Sequence, residues 1–250
     1  MSLPTDYNKA LHRHAGFYAA WFPLATPFRI GDYGLIQGGV FQKIGHLNDL
    51  KGHGFNVEIR PGTGNPTSID FLSEGVSSVK TVAGGTVPDL PAIDVEAKLT
   101  YEFQRENSFV LKAAEMNVER MENIREVADE LAQMRRDDKW SHRYCVVSTT
   151  YTGRNCLVLL SSEAETKVEF VATAKALKQL DLGNVEIKPS VSFSSNRMLH
   201  SIGNTGVIGL GLFKLKFFSG DLKLLAAEQL TDEERDIEED WGDEMKDEQW

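Results

Sequence analysis

Histidine and cysteine are the side chains best suited to metal binding or nucleophilic chemistry, and their spacing in this chain supports neither. His12, His14, His46, His53, His142 and His200 fall in no metal-ligand pattern. His12 and His14 are two apart, so on a helix they point to different faces. Cys145 lies in an apolar run, where cysteine packs as a small hydrophobe, and neither it nor Cys156 has a cluster of ligand-type residues around it. No nucleophile elbow, Walker loop or HExxH pair occurs. The segment PGTGNPT at 61–67 reads as a loop, with no helix placed behind it to receive a phosphate. Carboxylates are plentiful, but they fall on the polar faces of amphipathic stretches or in the C-terminal tail. An enzyme is not expected, nor is a cofactor or a metal; a hydrolase assembled from residues distant in sequence is the reading left open.

The remaining chemistry is that of charge and apolar surface. The 250 residues carry 27 Lys and Arg against 37 Asp and Glu, a formal charge of −10. Residues 228–250 hold twelve acids against only Arg235 and Lys246, so residues 1–227 balance at 25 of each sign. A neutral body has no surplus of cations to release counterions from a polyphosphate backbone, so nucleic acid is not an expected partner. With 41% hydrophobic and 26% charged residues the chain is globular rather than disordered. No apolar run approaches the roughly 18–20 residues of a membrane helix. The start, MSLPTDYNKALHRHAG, lacks the apolar core of a signal peptide, and two cysteines fit a reducing cytosolic compartment.

The cations cluster locally. Residues 5–14 read as a short helix capped by Thr5 or Asp6 and closed by Gly16, carrying Lys9, His12, Arg13 and His14. Phe17, Tyr18, Trp21 and Phe22 follow directly. Such a segment is either a surface helix over a hydrophobic anchor or an interfacial element that sets cations near anionic headgroups. Gly38-Gly39 predicts a hairpin over 33–45, and Phe55–Ile59 reads as a strand.

Period-two alternation then dominates. Ile93, Val95, Ala97, Leu99, Tyr101 and Phe103 alternate with polar residues over 93–104. Ala164, Thr166, Val168, Phe170 and Ala172 do so over 163–172, and Val185, Ile187, Pro189, Val191 and Phe193 over 185–194. A weaker partner lies at 76–82, before Gly84-Gly85. Thr173 and Gly183 bracket a short helix. The longest helix is expected over 118–136 behind Asn117, with Val118, Met121, Ile124, Val127, Leu131 and Met134 as its stripe. Two strands, 144–150 and 156–160, should meet at a Gly153-Arg154 turn, and 203–218 reads as a core strand with Lys214 and Lys216 facing out. In the tail, Thr231 and Glu234 form a capping box. The fold class is α+β. Long amphipathic strands have two homes: a static sheet packed on helices, or hairpins of a closed barrel that crosses a bilayer.

The order of elements, carried by GDYGLIQGGVFQKIGHLNDL (31–50), FVLKAAEMNVERMENI (109–124), RYCVVSTTYTGRNCLVLLSS (143–162) and NTGVIGLGLFKLKF (204–217), resembles the pore-forming domain of the gasdermin family. The resemblance spans most of residues 5–220. It implies a domain at 1–227 with a twisted, mostly antiparallel sheet, followed by an acidic tail at 228–250. It implies two hairpins that insert into a membrane, about 71–104 (reaching 116 at the base) and 155–198, with strand residues Ile93, Val95, Leu99, Tyr101, Phe103, Val168, Phe170, Val185, Ile187, Val191 and Phe193. Acidic phospholipid would be met by Lys9 and Arg13, by Phe17, Trp21 and Phe22 as a wedge, and more weakly by Lys214 and Lys216. Only about 25 residues of the sequence follow the last expected strand, where a large repressor domain would be expected of animal members, and no cysteine precedes Cys145 to be lipidated as in bacterial ones, so the pattern is most similar to the fungal regulator-of-cell-death members, with bacterial members second. These imply cell death in allorecognition, with self and a divergent variant as partners, in the cytoplasm when inactive and at the plasma membrane when active. The helices at 118–136 and 173–183 are the expected covers of the apolar strand faces. The alternative is a non-enzymatic binding module whose acidic tail docks a basic partner.

Overall fold

The computed structural model describes residues 2–50, 55–62, 66–185, 189–216 and the backbone of 222–224; Ile187 and the 228–250 tail lie outside them. Helix α1 (Leu3–Ala15) starts behind Ser2 and closes on Gly16, whose φ of 75° lets its N–H donate to the His12 carbonyl. It begins two residues earlier than the sequence suggests because Pro4 suits the first helical turn. Thr5 and Asp6, expected as caps, are used elsewhere. The Thr5 hydroxyl donates to the Gly38 carbonyl (2.9 Å), and the Asp6 carboxylate accepts from Asn107 Nδ2 (2.8 Å).

After β1 (Tyr18–Ala19), strands β2 (Asp32–Gln37) and β3 (Val40–His46) form the expected hairpin, with φ of 56° and 77° at Gly38 and Gly39. Only Ile59–Pro61 of the next segment is a strand (β4). Phe55 is instead buried against Leu131 and its neighbours, packing outside any strand. Strands β5 (Thr67–Leu72), β6 (Val76–Val82), β7 (Gly85–Val87), β8 (Glu96–Phe103) and β9 (Ser108–Met121) follow. Helix α2 runs Ile124–Arg136 behind Asn123, shorter than the expected 118–136. Residues 114–119 also alternate half-buried and exposed, and pairing of Val118 and Glu119 with Tyr151 and Thr150 makes strand the stronger choice there.

The expected break at Gly153-Arg154 is absent: β10 (Cys145–Ser161) is one strand of 17 residues. Gly153 serves a bulged register, where an added Cβ would collide with the Cys156 sulfur. Strand β11 (Thr166–Thr173), helix α3 (Ala174–Asp181), strands β12 (Ser190–Phe193), β13 (Met198–Leu215) and β14 (Leu222–Leu224) complete the described chain. Ile93 and Val95 stand outside β8 and are 55% and 38% exposed, because their carbonyls accept the first N–H groups of α3, from Lys175 and Ala174. Val185 likewise precedes β12, its N–H donating to the Asn155 carbonyl.

All strand pairs are antiparallel and form two sheets. One is nine-stranded around β13, β10 and β9; the other has the order β12-β11-β8-β6-β7. Helix α1 packs Tyr7 and Leu11 on one face of the large sheet, against Phe109, Leu111, Val158 and Leu160. The small sheet covers the other face, where Leu99, Tyr101, Phe103, Val168 and Phe170 meet Val110, Leu157 and Leu159. Helix α3 adds Leu177 and Leu180 to that inter-sheet core. Helix α2 packs elsewhere, on Val146, Phe213 and Leu215, so only one of the two expected covers shields the amphipathic strands.

Gly183 fixes how α3 ends. It has φ of 77°, and an added Cβ would stand 2.7 Å from the Ala113 nitrogen. Gly183→Ala is therefore expected to destabilise the protein by about 2 kcal/mol, measured by urea unfolding. A change within about 0.5 kcal/mol would contradict this packing.

Candidate membrane-inserting sheet

The two sheets repeat one strand order. The large sheet contains β13-β10-β9-β5, and the small sheet β12-β11-β8-β6. Each strand of the first is joined directly to its counterpart in the second, through 73–75, 104–107, 162–165 and 194–197. The small sheet is therefore the continuation of the large one, bent back through four short corners. Gly75, Asn107 and Glu165 turn three of these corners with positive φ.

The corners are tied in hairpin pairs. Gln104 N–H donates to the Gly75 carbonyl (2.8 Å), and Arg105 meets Glu74 at 2.7 Å. In the second hairpin Arg197 meets Glu163 at 3.1 Å, and the Ser195 hydroxyl donates to the same carboxylate. The ion pairs are solvent-exposed and contribute little each; they join the two corners of each hairpin side by side.

Alternation gives the small sheet two unlike faces. Ala97, Leu99, Tyr101, Phe103, Val168 and Phe170 are buried inside, with Val191 and Phe193 half-buried at the edge strand. Outside, Lys98 meets Glu169 at 3.0 Å and Lys167 meets Glu102 at 2.6 Å, both across the β8–β11 junction between the two hairpins.

Among the described inner-face residues of this sheet Lys80 is the only charge, and it meets a buried cluster. Its Nζ lies 2.7 Å from Asp181 Oδ2. Lys112, from β9, donates to Asp181 Oδ1 and to the Asp181 carbonyl, both at 2.9 Å, and reaches Asp70 at 3.1 Å. The Tyr101 hydroxyl donates to Asp181 Oδ1 at 2.9 Å. Burial alone raises the Asp181 carboxyl, but hydrogen bonds from Lys80, Lys112 and Tyr101 outweigh it and hold the group below its ordinary range. Burial first, and then the Asp181 carboxylate, push the Tyr101 phenol well above its ordinary value, so it stays a donor. Sequence reading missed this cluster; its signal was a lysine inside each of two strand-forming runs, VSSVKTV and FVLKAAEM.

The residues predicted to meet lipid are dispersed. Lys9 and Arg13 are exposed one turn apart on α1. Phe22 is 49% exposed and stacks on half-buried Trp21, whereas Phe17 is 1% exposed and stacks on Tyr151. In this state Phe17 is a packing residue that anchors α1. Lys214 and Lys216 lie at the other end, beside α2, where the Lys216 carbonyl accepts from Arg135. Both cysteines are buried, and burial pushes the Cys156 thiol up to about 12. Among the described residues no group of three or more His, Cys, Asp or Glu could hold a metal ion, and no helix is long and apolar enough to cross a membrane.

No family model matches the sequence, and no curated protein matches it. Among solved structures the chain is similar to a bacterial gasdermin from Bradyrhizobium tropiciagri, at 14% identity and a TM-score of 0.38, over 90% of this chain and 93% of that one.

The Asp181 cluster has a definite pH signature. Because folding lowers this carboxyl's pKa, its stabilisation is complete above the unfolded value of about 3.9 and is lost as pH falls through the lower folded value. The difference in thermal midpoint between wild type and Asp181→Asn is expected to be flat from about pH 7 to pH 5 and to close below about pH 4. A difference that already narrows between about pH 7 and pH 5 would contradict the assignment.

Proposed function

We propose that the protein is a membrane pore-former of gasdermin type, whose 1–227 domain inserts two amphipathic hairpins into an acidic phospholipid bilayer and oligomerises there. The observation that carries the reading is the doubled sheet: four strands in one order, bent at four aligned corners, with the apolar face folded inward and the charged face outward. Straightening the corners would turn β5–β6, β8–β9, β10–β11 and β12–β13 into four long strands. Each would exceed the 9–11 residues a transmembrane strand needs and would alternate lipid-facing with lumen-facing side chains.

The energetics favour coupling to a membrane. Leu99, Tyr101, Phe103, Val168 and Phe170 are each no more than 1% exposed. Uncovering them in water would cost about 1.5–3 kcal/mol each, a sum comparable with a typical domain's stability of about 5–15 kcal/mol. In a bilayer the same side chains remain in an apolar medium. Lys9 and Arg13 are the proposed first contacts with anionic headgroups, with Phe22 and Trp21 entering beneath them. In a cell the protein would rest in the cytoplasm and act at the plasma membrane. Its biological setting would be fungal non-self cell death, set off when it meets a divergent variant.

Purified protein, alone or mixed with a divergent variant, is expected to release dye from liposomes containing phosphatidylserine. Lys9→Glu/Arg13→Glu should reduce the release rate at least about tenfold at low salt, and less at high salt, since each basic residue near such a surface contributes about 1 kcal/mol. Full retention of dye under every lipid, partner and proteolysis condition would sink the proposal.

A further inference from the structure

Among the described residues the two halves of the doubled sheet are held together mainly by packing, and the Asp181 cluster is where charged groups join them. One carboxylate, its side chain only 14% exposed, takes donors from three strands: Lys80 of β6, Tyr101 of β8 and Lys112 of β9. The first two belong to the small sheet and the third to the large sheet. Asp181 itself ends α3, the helix that covers the same core. Lys112 is 5% exposed and spends its three protons on Asp181 twice and Asp70 once, with its ammonium 5.7 Å from the Tyr101 ring centroid. At the rim, Asp89 pairs with Lys178 of α3 at 3.3 Å and lies 3.9 Å from Lys80. Directly behind Asp181, the Gly183 carbonyl accepts the Ala114 N–H of β9 at 3.0 Å, so the end of α3 is fastened to the large sheet at two points.

We propose that the Asp181 carboxylate is a latch that holds α3 and the first hairpin closed against the large sheet, and that releasing it frees them locally while leaving the large sheet intact. The physical reason is an asymmetry of buried ion pairs. With Asp181 in place, both lysines are compensated. Without its charge, Lys112 keeps only the exposed Asp70 and Lys80 only the exposed Asp89 at 3.9 Å, and removing the buried partner of such a group costs far more than removing the whole group. The least costly relief is for α3 and β6–β8 to move out and let the lysines reach water. That movement is the first part of the unbending on which the pore-forming reading depends, so the consequence for leakage rests on that reading; the latch itself does not.

The test is amide hydrogen exchange of the full-length protein in solution, with dye release from phosphatidylserine liposomes in parallel. In Asp181→Asn, peptides within 96–103 and 174–181 are expected to exchange at least about tenfold faster, while peptides within 156–160 keep wild-type protection. The triple variant Lys80→Met/Lys112→Met/Asp181→Asn removes every member of the central charge group and should recover most of the lost protection. Should Asp181→Asn fail to fold, Lys80→Met alone, which leaves Asp181 paired with Lys112, is expected to loosen 96–103 by a smaller factor. Unchanged exchange in the variant that folds, equal loosening at 156–160, or a triple variant no better protected than Asp181→Asn would each overturn the latch. Local opening without leakage from any variant would keep the latch and remove the pore-forming reading. Leakage by wild type with no local opening in Asp181→Asn would do the reverse.

Discussion

The apolar face of strands β8 and β11 cannot stay in water, and most of the structure is a response to that constraint. The four strands that carry it are bent back on their own continuations, so that the large sheet serves as the cover. Four corners must then occur at matching positions along the strands, and they do, with glycine or a left-handed residue at three of them. Helix α1 seals the opposite face of the large sheet, and α3 fills the inter-sheet core. Helix α2 belongs to a separate cluster and takes no part in this cover.

A sheet covered by its own continuation differs from one covered by helices. Its covering and covered parts share a backbone, and one register runs from Ser161 opposite Ser108 through Thr166 opposite Phe103, so in the proposed straightening the β8–β9 and β10–β11 junction changes mainly at its corners. The corner contacts are surface ion pairs and single hydrogen bonds, each worth little in water. The larger opposing term is the inter-sheet core, which a bilayer can replace. The Asp181 cluster is the charged element among the described residues of that core, and a bilayer does not replace it directly, because the strand lysines would need another anion.

Much of this was legible in the residues. Period-two alternation located β8 and β11, Thr173 and Gly183 located α3, and Gly38-Gly39 located the β2–β3 hairpin. The errors have physical causes. Val118 and Met121 satisfy helical spacing as well as strand alternation, and cross-strand pairing with β10 decided between them. Gly153 looks like a turn but supplies room at a bulge. Ile93 and Val95 continue the alternation of β8, yet their carbonyls serve the start of α3 and their side chains face water. Apart from these errors, the aromatic cluster that reads as a membrane wedge has Phe17 enclosed by the core in this state and Phe22 substantially open. The doubling of the sheet depends on contacts between residues far apart in sequence, for which local patterning carries no signal; Lys80 and Lys112 stand out inside their strand-forming runs, but that they meet at Asp181 does not.

The central claim is that β8 and β9 are one strand, bent in water and straight in a membrane. Spin labels at Lys98 and Glu115, both exposed, read this directly by pulsed dipolar spectroscopy. With the sheets packed face to face the labels should lie about 20 Å apart in solution, whereas 17 residues of straight strand span about 56 Å. The account predicts that the long distance replaces the short one on leaking phosphatidylserine liposomes. Dye release with the short distance unchanged would contradict it.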